Sequence, residues 1–257
     1  MIKVSVVTVV FNGEKFLEQT IQSVLNQTHK NIEYIIIDGG SKDKTIDIIK
    51  KYEDRLAYWV SEKDHGIYDA MNKGILKATG ELVGLINSDD FYSDNTSIEN
   101  IVTAYQNNNS PDVLYGNMKF FNPETNQFKI IYPSISALKT DMTLNHPTCF
   151  LKTELYKSKL FDINFRICAD YDLILFFYTN GKKLLYVDKI ITTMRIGGAS
   201  DNFKLSTKEV FLVQKKYFSL FLASKNYVIR HTKRFLKNIL LILVSGEKIE
   251  SIKGFNK

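Results

Sequence analysis

Two adjacent carboxylates end an apolar segment in the first half of the chain. The segment Leu82-Val-Gly-Leu-Ile-Asn-Ser-Asp-Asp90 has the composition of a buried strand and stops at Asp89 and Asp90. In open α/β sheets, ligands bind in the crevice outside the carboxyl ends of the strands. Two carboxylates at such a point suit Mg²⁺ or Mn²⁺ carrying a diphosphate. The simpler alternative is that Ser-Asp-Asp caps the following helix.

Polar residues also follow other strand-like segments. Asn12 comes after the apolar run Val4–Val10, and Asp38 ends the run Ile32–Asp38. Parallel strands bring such ends to one edge of a sheet, so we expect these side chains and Asn87–Asp90 to line one crevice. At this edge, the Asp38 carboxylate is suited to accept hydrogen bonds from the donors of a nucleoside. Its alternative role is to organise the turn into the next helix.

The start of the third predicted helix offers two more polar groups. Asp69 and Asn72 lie in a helix predicted over residues 68–79 and are placed to face the same crevice. Asn72 and Gly74 are poor helix formers, and an internal glycine costs up to about 1 kcal/mol. A close contact or a polar pocket would explain them. We expect Gly80 to form the C-cap of this helix.

Alternating apolar strands and amphipathic helices must position these residues. The periodicity predicts strands over 4–10, 32–38, 56–61 and 82–87, with helices over 14–27, 44–52 and 68–79. Strict alternation predicts parallel strands joined by right-handed crossovers. Later segments predict a mixed second half: helices over 97–106, 153–159 and 171–179, a hairpin of strands over 113–121 and 127–132, and short strands over 184–188 and 190–195.

The tail from about residue 206 is predicted to be helical and basic. Five Lys or Arg residues and no acid lie between Lys225 and Lys237. One helical face carries the apolar side chains Val228, Phe235, Leu236, Ile239, Leu240 and Leu243, and another carries Arg230, Lys233, Arg234 and Lys237. Such a helix can lie in an anionic membrane interface. The alternative is a helix packed on its own domain or on a second subunit.

Composition and charge limit the classes of protein. The 257 residues are 44% hydrophobic and 24% charged, which predicts a globular chain with a full core. The net charge of +6 suits an anionic partner, but no nucleic-acid-binding motif occurs and nucleic acid is not expected. Cys149 and Cys168 lack metal-ligand spacing and are expected to be buried thiols of a reducing cytosol. We expect no signal peptide and no spanning helix.

The motifs of other nucleotide-binding folds are absent. The sequence has neither Gly-x-Gly-x-x-Gly after the first strand nor a Walker A motif. Over roughly residues 2–200 it resembles the family 2 glycosyltransferases, whose successive motifs match Val4–Asn12, Ile35–Thr45, Asp64–Asn72 with Gly80, and Asn87–Asp90. The resemblance implies a GT-A fold, a nucleotide-sugar donor and Mn²⁺ or Mg²⁺ at an Asp-x-Asp motif. Gly66–Gly74 is similar to bacterial branches that build O-antigen, capsule or exopolysaccharide.

Position in these motifs implies the residues of a donor site. Nucleotide and donor binding is implied for Val9, Asn12, Asp38, Asp69, Asn72, Asn87 and Ser88. Asn87-Ser-Asp89 stands where the family has Asp-x-Asp, so the first carboxylate is an amide here. Asp89 then becomes the expected metal ligand, with Asp90 close by. An amide oxygen still coordinates Mg²⁺ or Mn²⁺, and we expect weaker binding of the metal.

The second half supplies the implied catalytic residues. Ile167–Asp172 resembles the acidic motif that provides the family's base, which assigns to Asp170 the removal of the acceptor hydroxyl's proton. His146 and Asp172 are assigned to the acceptor side. Capping of a helix is the alternative for both aspartates. Arg195 begins a segment, 195–200, that resembles the part closing over the donor, where its cation would neutralise the leaving diphosphate.

These observations predict an α/β, GT-A (Rossmann-like) fold with a mostly parallel sheet, a mixed second half and C-terminal amphipathic helices. Residues 1–110 are the nucleotide-sugar-binding half, 111–205 the acceptor-binding and catalytic half of the same domain, and 206–257 a helical basic tail. We expect an inverting transferase that moves a sugar from a nucleotide-sugar, preferably a UDP-sugar, to a polyprenyl-diphosphate-linked glycan. It would act at the inner face of a bacterial cytoplasmic membrane. The rival is a catalytically silent sugar-nucleotide or polysaccharide binding protein, which Asn87 favours and Asp170 opposes.

Overall fold

The computed structural model describes residues 1–197 and 202–243, with side chains up to residue 239. The strands are β1 (Val4–Val10), β2 (Ile32–Asp38), β3 (Tyr58–Ser61), β4 (Leu82–Asn87), β5 (Phe91–Tyr92), β6 (Val113–Asn122), β7 (Gln127–Ile131), β8 (Phe150–Lys152) and β9 (Leu184–Arg195). The α-helices are α1 (Leu17–Leu25), α2 (Thr45–Lys51), α3 (Ile67–Lys77), α4 (Ser97–Asn107), α5 (Thr153–Ser158), α6 (Ala169–Thr179), α7 (Phe203–Tyr217) and α8 (Leu220–Leu243).

Within the described residues, nine strands form one sheet in the order β3-β2-β1-β4-β8-β6-β9-β5, with β7 paired to β6. The strands β3, β2, β1 and β4 are parallel, as predicted. Their β-branched residues are buried because helices cover both faces of this part of the sheet. The register places Asp38 opposite Val10 and Ser61, and Asn87 opposite Val9, so the carboxyl ends form one edge.

The second half continues the same sheet with mixed directions, which confirms the prediction of a mixed half. β8 pairs antiparallel with β4 and β6, whereas β6 and β9 are parallel. The prediction of two short strands over 184–188 and 190–195 was wrong. They form one strand, β9, with a register shift opposite Gly116–Met118 that accommodates its irregular middle.

Two glycines permit close approach to β1. A Cβ at Gly74 would overlap the side chain of Val7, so the glycine lets α3 pack directly on the sheet. The prediction that Gly80 caps α3 was wrong, because the helix ends at Lys77. A Cβ at Gly80 would lie 2.6 Å from the backbone nitrogen of Ser5, so this glycine serves a backbone contact.

The hydrophobic core lies on both faces of the sheet. One face packs against α3, α6 and α7, and the other against α1 and α4. Val210 and Val213 of α7 are 3% and 0% exposed, so this part of the predicted tail belongs to the main core. Cys149 and Cys168 are buried free thiols, as expected. No helix in the described part of the chain is long and apolar enough to cross a membrane.

A buried carboxylate fastens the amino ends of the parallel strands. Glu33 of β2 is 9% exposed and contacts Lys3 Nζ at 2.7 Å. It also accepts hydrogen bonds from Ser5 Oγ at 2.5 Å and from the backbone and hydroxyl of Thr79 at 2.7 and 2.6 Å. Burial raises the pKa of Glu33, but the hydrogen bonds outweigh it and lower the pKa to about 2. This end of the sheet is opposite the polar edge described above.

Glu33→Gln should therefore destabilise the fold. A pKa lowered from about 4.5 to about 2 corresponds to roughly 3 kcal/mol at neutral pH. Because the folded pKa is lowered, this contribution is present above about pH 4.5 and is lost as the pH falls towards 2. Denaturant unfolding at pH 7 and pH 3 should show a smaller difference between wild type and variant at pH 3. Equal differences at the two pH values would contradict this account.

Candidate active site

The loops at the polar edge of the sheet are built on Asp38. This side chain is 0% exposed. It accepts hydrogen bonds from the backbones of Gly40 at 3.1 Å and Ser41 at 3.0 Å, from Ser61 Oγ at 2.6 Å, and from Ser41 Oγ. With four protein donors, Asp38 organises its own turn, which was the alternative role. The predicted contact from Asp38 to a nucleoside stays a prediction.

Asn12 and Val9 end the central strand at this edge. Asn12 adopts a positive φ of 50°, a conformation that Asn tolerates better than most residues. Its backbone nitrogen donates to Ser41 Oγ at 2.7 Å, and its side-chain oxygen accepts from the backbone of Lys42 at 2.8 Å. Val9 is buried between β2 and β4. The main chain at Asn12 is thus fixed at the entrance to the crevice, and donor binding by both residues stays a prediction.

The turn after β4 carries the predicted metal ligands. Asn87 Nδ2 donates to Asp90 Oδ2 at 3.2 Å, while Asn87 Oδ1 and Asp90 Oδ1 are buried without a hydrogen-bond partner. Asp90 is 1% exposed, and Asp89 beside it is half-buried. Burial, followed by the charge of Asp89, raises the pKa of Asp90 well above its usual range. The turn therefore holds buried acceptor oxygens that lack hydrogen-bond donors, next to a second carboxylate. This arrangement favours the binding of a cation.

Neighbouring elements fix this turn. The hydroxyl of Thr20 on α1 lies 2.8 Å from the carbonyl oxygen of Ser88 and 2.6 Å from that of Asp90. The chain then enters β5, which pairs with β9 through Phe91 opposite Thr193. Ser88 contributes its carbonyl to this arrangement, so its predicted contact with the donor stays a prediction.

Arg195, the last residue of β9, reaches the same turn. It is 6% exposed, and its guanidinium donates to the backbone oxygen of Asp89 and to Gln19 Oε1. The group lies 4.3 Å from the ring centre of Phe16 and 4.9 Å from that of Phe91. Burial lowers the pKa of Arg195, whereas Asp90 and Asp89 raise it. Residues 198–200 of the predicted closing segment lie outside the described residues.

We name Asn87, Asp89, Asp90 and Arg195 the donor edge. Within the described ranges, no three His, Cys, Asp or Glu side chains are close enough to hold a metal ion by themselves. Mg²⁺ is, however, commonly bound by one or two carboxylates with phosphate oxygens as further ligands. The unpartnered oxygens of Asn87 and Asp90, with the carboxylate of Asp89, fit that mode of binding.

A second polar group surrounds Asp170, in the first turn of α6. His146 Nδ1 lies 3.3 Å from Asp170 Oδ2, and the two side chains are 17% and 15% exposed. The hydroxyl of Tyr68 lies 3.3 Å from Asp170 Oδ1 and donates to the backbone oxygen of Ile167 at 2.5 Å. His146 Nε2 is buried without a partner. We name Asp170, His146 and Tyr68 the base group.

The fold brings the base group to the polar edge. Tyr68 belongs to the first turn of α3, which follows the carboxyl end of β3. His146 begins a 3₁₀ turn, His146–Thr148, that contacts β4. Thr192 of β9 donates to the backbone oxygen of Pro147 at 2.7 Å and holds this turn in place. Asp170 and His146, predicted separately as base and acceptor-side residue, thus form a carboxylate and imidazole pair able to accept a proton.

Two other predicted residues have structural partners. Asn72 exchanges two hydrogen bonds of 2.9 Å with the backbone of Phe161, so each of its polar atoms has a protein partner, and its assignment to the donor stays a prediction. Asp172 is 1% exposed and contacts Lys216 Nζ at 3.0 Å. Asp172 therefore joins α6 to α7 instead of facing an acceptor, because residues two apart point to different sides of a helix.

Asp69 organises the loop before α3. Its Oδ2 accepts a hydrogen bond from the backbone of His65 at 3.0 Å and lies 3.6 Å from Lys73 Nζ. Burial raises the pKa of Asp69, but these two partners outweigh it and lower the pKa. Its predicted contact with the donor stays a prediction.

Sequence reasoning gave no role to Tyr68 or to Glu209. Tyr68 stands inside the quoted segment Gly66–Gly74, but its spacing does not reveal that its hydroxyl reaches residues about a hundred positions later. The sequence does distinguish Glu209, because it is the only acidic residue between positions 202 and 246. An isolated carboxylate in a basic helix is typical of a group with a specific partner.

Comparisons with known proteins identify the family of this chain. The model of Glycosyl transferase family 2 matches residues 5–165, more than half of the chain. An uncharacterised glycosyltransferase of Mycobacterium tuberculosis is 33% identical over 176 residues, which cover 67% of each chain. Another from Methanocaldococcus jannaschii is 27% identical over 251 residues, covering 92% of this chain and 82% of the relative.

Solved structures show the same fold. S. aureus TarS 1–349 in complex with UDP-GlcNAc has a TM-score of 0.70 at 18% identity, over 96% of this chain and 77% of that one. The mannosyltransferase PcManGT from Pyrobaculum calidifontis, in complex with GDP-Man and Mn²⁺, has a TM-score of 0.63 at 16% identity, over 83% and 62%. These neighbours confirm the predicted GT-A architecture, and the family match over residues 5–165 shows that the chain belongs to the family 2 glycosyltransferases.

Proposed function

We propose that this glycosyltransferase moves a sugar from a UDP-sugar, with inversion, to a polyprenyl-diphosphate-linked glycan of a bacterial surface polysaccharide. The observation that carries the proposal is the base group. A carboxylate with an imidazole 3.3 Å away and a buried, unpartnered Nε2 is suited to receive a proton and serves no evident structural purpose. A binding protein needs no such group.

In the proposed reaction, the acceptor hydroxyl attacks the anomeric carbon of the donor in line with the leaving group. Asp170 takes the hydroxyl proton as the new C–O bond forms, and the bond from the anomeric carbon to the diphosphate oxygen breaks. UDP leaves with that electron pair. Arg195 places a fixed positive charge beside Asp89 and Asp90, where the leaving group would gain negative charge. His146 stabilises the protonated carboxyl and orients it.

We further propose that Asn87, Asp89 and Asp90 hold Mn²⁺ or Mg²⁺ together with the donor diphosphate. The ion would neutralise charge on the diphosphate when bound. The chemistry of the oxygens at the donor edge supports this, and PcManGT was solved with Mn²⁺ and GDP-Man. The UDP preference is supported by the TarS complex with UDP-GlcNAc.

Release of UDP tests the proposal. UDP-GlcNAc, UDP-Glc and UDP-Gal, with GDP-Man as the comparison, are incubated with the protein, Mn²⁺ and a polyprenyl-diphosphate-linked saccharide. We expect at least one UDP-sugar to release UDP faster when the lipid acceptor is present, and the product to carry the opposite anomeric configuration. No UDP release from any donor, with or without acceptor, would contradict the proposal.

We propose that α8 places the active site at the membrane surface. Its exposed side carries an apolar row, the outer stripe, formed by Phe221, Val228, Phe235 and Ile239, which are 79%, 61%, 64% and 38% exposed. The outer stripe faces away from the domain, because Ala223 and Asn226 on the opposite side are buried.

The structure changes the expected role of two cations in α8. Arg230 pairs with Asp141, and Arg234 lies 5.2 Å from the ring centre of Phe203, so both face the protein. Lys225 and Lys233 remain exposed. Attachment therefore depends more on the outer stripe, whose apolar surface is buried on contact with lipid.

The double variant Val228→Glu with Phe235→Glu should weaken vesicle binding by at least about 100-fold, because burial of two large apolar side chains is lost. Sedimentation with phosphatidylglycerol vesicles measures this loss of vesicle binding. Phe128→Glu with Tyr132→Glu is the matched control, since these side chains are 60% and 66% exposed and the charge change is equal. Equal binding by all three proteins would contradict membrane attachment through the outer stripe. A change in oligomeric state would instead assign the stripe to a second copy.

A further inference from the structure

Helix α7 carries a buried carboxylate that lies outside the donor edge and the base group. Glu209 is 5% exposed, and its partners are three consecutive backbone N–H groups. Oε1 accepts from Arg166 at 2.9 Å, and Oε2 accepts from Ile167 at 2.9 Å and Cys168 at 3.0 Å. Hydrogen bonds to a carboxylate are stronger than neutral ones. One side chain therefore fixes the whole 166–168 segment.

The 166–168 segment leads directly into the catalytic helix. Cys168 is the N-cap of α6, and Asp170 follows two residues later. The backbone oxygen of Ile167 also accepts the hydroxyl of Tyr68 at 2.5 Å. The segment is thus held from α7 by Glu209 and from α3 by Tyr68, so its position is set by elements on both sides.

The side-chain contacts of Asp170 are too long to position it alone. Both His146 Nδ1 and the Tyr68 hydroxyl lie 3.3 Å from its carboxylate oxygens, beyond the usual distance of a strong hydrogen bond to a carboxylate. A shorter bond, 2.8 Å, comes from the backbone of Tyr171 and moves with the same helix. The location of Asp170 therefore depends on the backbone that Glu209 anchors.

We propose that Glu209 is a positioning residue, whose carboxylate holds the 166–168 segment so that Asp170 meets the acceptor hydroxyl. This role rests on the proposed function. It makes α7 part of the catalytic apparatus, and α7 directly precedes the helix that bears the outer stripe. Two more contacts support the connection of α7 to α6, namely Gln214 Nε2 to the Tyr171 hydroxyl at 3.0 Å and Lys216 to Asp172 at 3.0 Å.

Glu209→Gln and Glu209→Leu form a graded test, because glutamine keeps one acceptor oxygen and leucine keeps none. With the UDP-sugar that wild type turns over, kcat should fall in the order wild type, Gln, Leu. The loss in the Leu variant should be on the order of 100-fold, as expected for a base displaced by about 1 Å. KM for the donor should stay constant, because Glu209 contacts no residue of the donor edge. Amide hydrogen exchange at 166–168 should become faster in the same order.

Glu33→Gln is the matched control, since it also alters a buried carboxylate with several donors but lies at the opposite end of the sheet. It should lower Tm and leave kcat per folded molecule unchanged. Glu209 variants with faster exchange at 166–168 and wild-type kcat would overturn the positioning role. If wild type releases no UDP, the proposed function is refuted, and the positioning role of Glu209 is refuted as well. Hydrogen exchange reports separately whether Glu209 anchors the 166–168 segment.

Discussion

Asp170→Asn should lower transfer by on the order of 10³-fold while leaving UDP affinity unchanged. The amide cannot take the acceptor proton, and general base catalysis typically contributes about 10²- to 10⁴-fold. Affinity for UDP is preserved because Asp170 contacts His146 and Tyr68 and no residue of the donor edge. Initial rates of UDP release, together with calorimetric titration of UDP, measure both effects on one preparation.

Asp172→Asn provides the matched control, since it makes the same chemical change two residues away on the same helix. Its carboxylate pairs with Lys216 and accepts a hydrogen bond from the Tyr217 hydroxyl at 3.1 Å. Loss of this carboxylate should therefore lower Tm and leave kcat close to that of wild type. Equal losses of kcat in the two variants would contradict the assignment of the base. Turnover retained by Asp170→Asn would show that this carboxylate is not the base, whereas a catalytically silent binding protein would bind UDP and show no turnover even in wild type.

Asp90→Asn should have opposite effects on stability and on metal binding. In the absence of metal, Asp90 is a buried carboxylate beside Asp89 with one oxygen lacking a partner, so removing its charge should stabilise the protein by about 1 kcal/mol. That corresponds to a rise in Tm of about 2–4 °C. Affinity for Mn²⁺ in the presence of UDP should fall on the order of 10- to 100-fold. Thermal unfolding with and without Mn²⁺ and UDP measures both.

Substitution of the half-buried neighbour Asp89 distinguishes the effect on stability from the effect on metal binding. Asp89→Asn should weaken Mn²⁺ binding without raising Tm, because this side chain is less deeply buried than Asp90 and has less desolvation to recover. If Asp90→Asn lowered Tm and left Mn²⁺ binding intact, Asp90 would be a structural residue and the metal site would need other ligands.

Much of the fold of the predicted nucleotide-sugar-binding half follows from local sequence. The β-branched run of β1 and the apolar run of β2 predict buried parallel strands, and parallel strands necessarily place Asn12, Asp38 and Asn87 at one edge. Local pattern does not reveal how a polar group at that edge is used. Asp38 and Asn72 have the residue types of ligand-binding groups, but nearby backbone N–H and C=O groups occupy them.

The predicted catalytic half depends on contacts between distant parts of the chain. Asp170 and His146 were identified from motifs, but their 3.3 Å separation depends on β9 holding the His146 turn through Thr192. β5 and β8 span only two and three residues, too few to produce a periodicity. Glu209 reaches a segment about forty positions earlier in the chain, a pairing that no local rule predicts.

Calorimetric titration of UDP, GDP and CMP, each with and without Mn²⁺, tests the central claim most directly. Wild type should bind UDP most tightly, in a manner that requires Mn²⁺, and Asp89→Ala should lose most of that affinity. This result would establish the donor class and the ligands of the metal in one experiment. Absence of binding by any nucleotide under either condition would contradict a nucleotide-sugar-dependent transferase built on this donor edge.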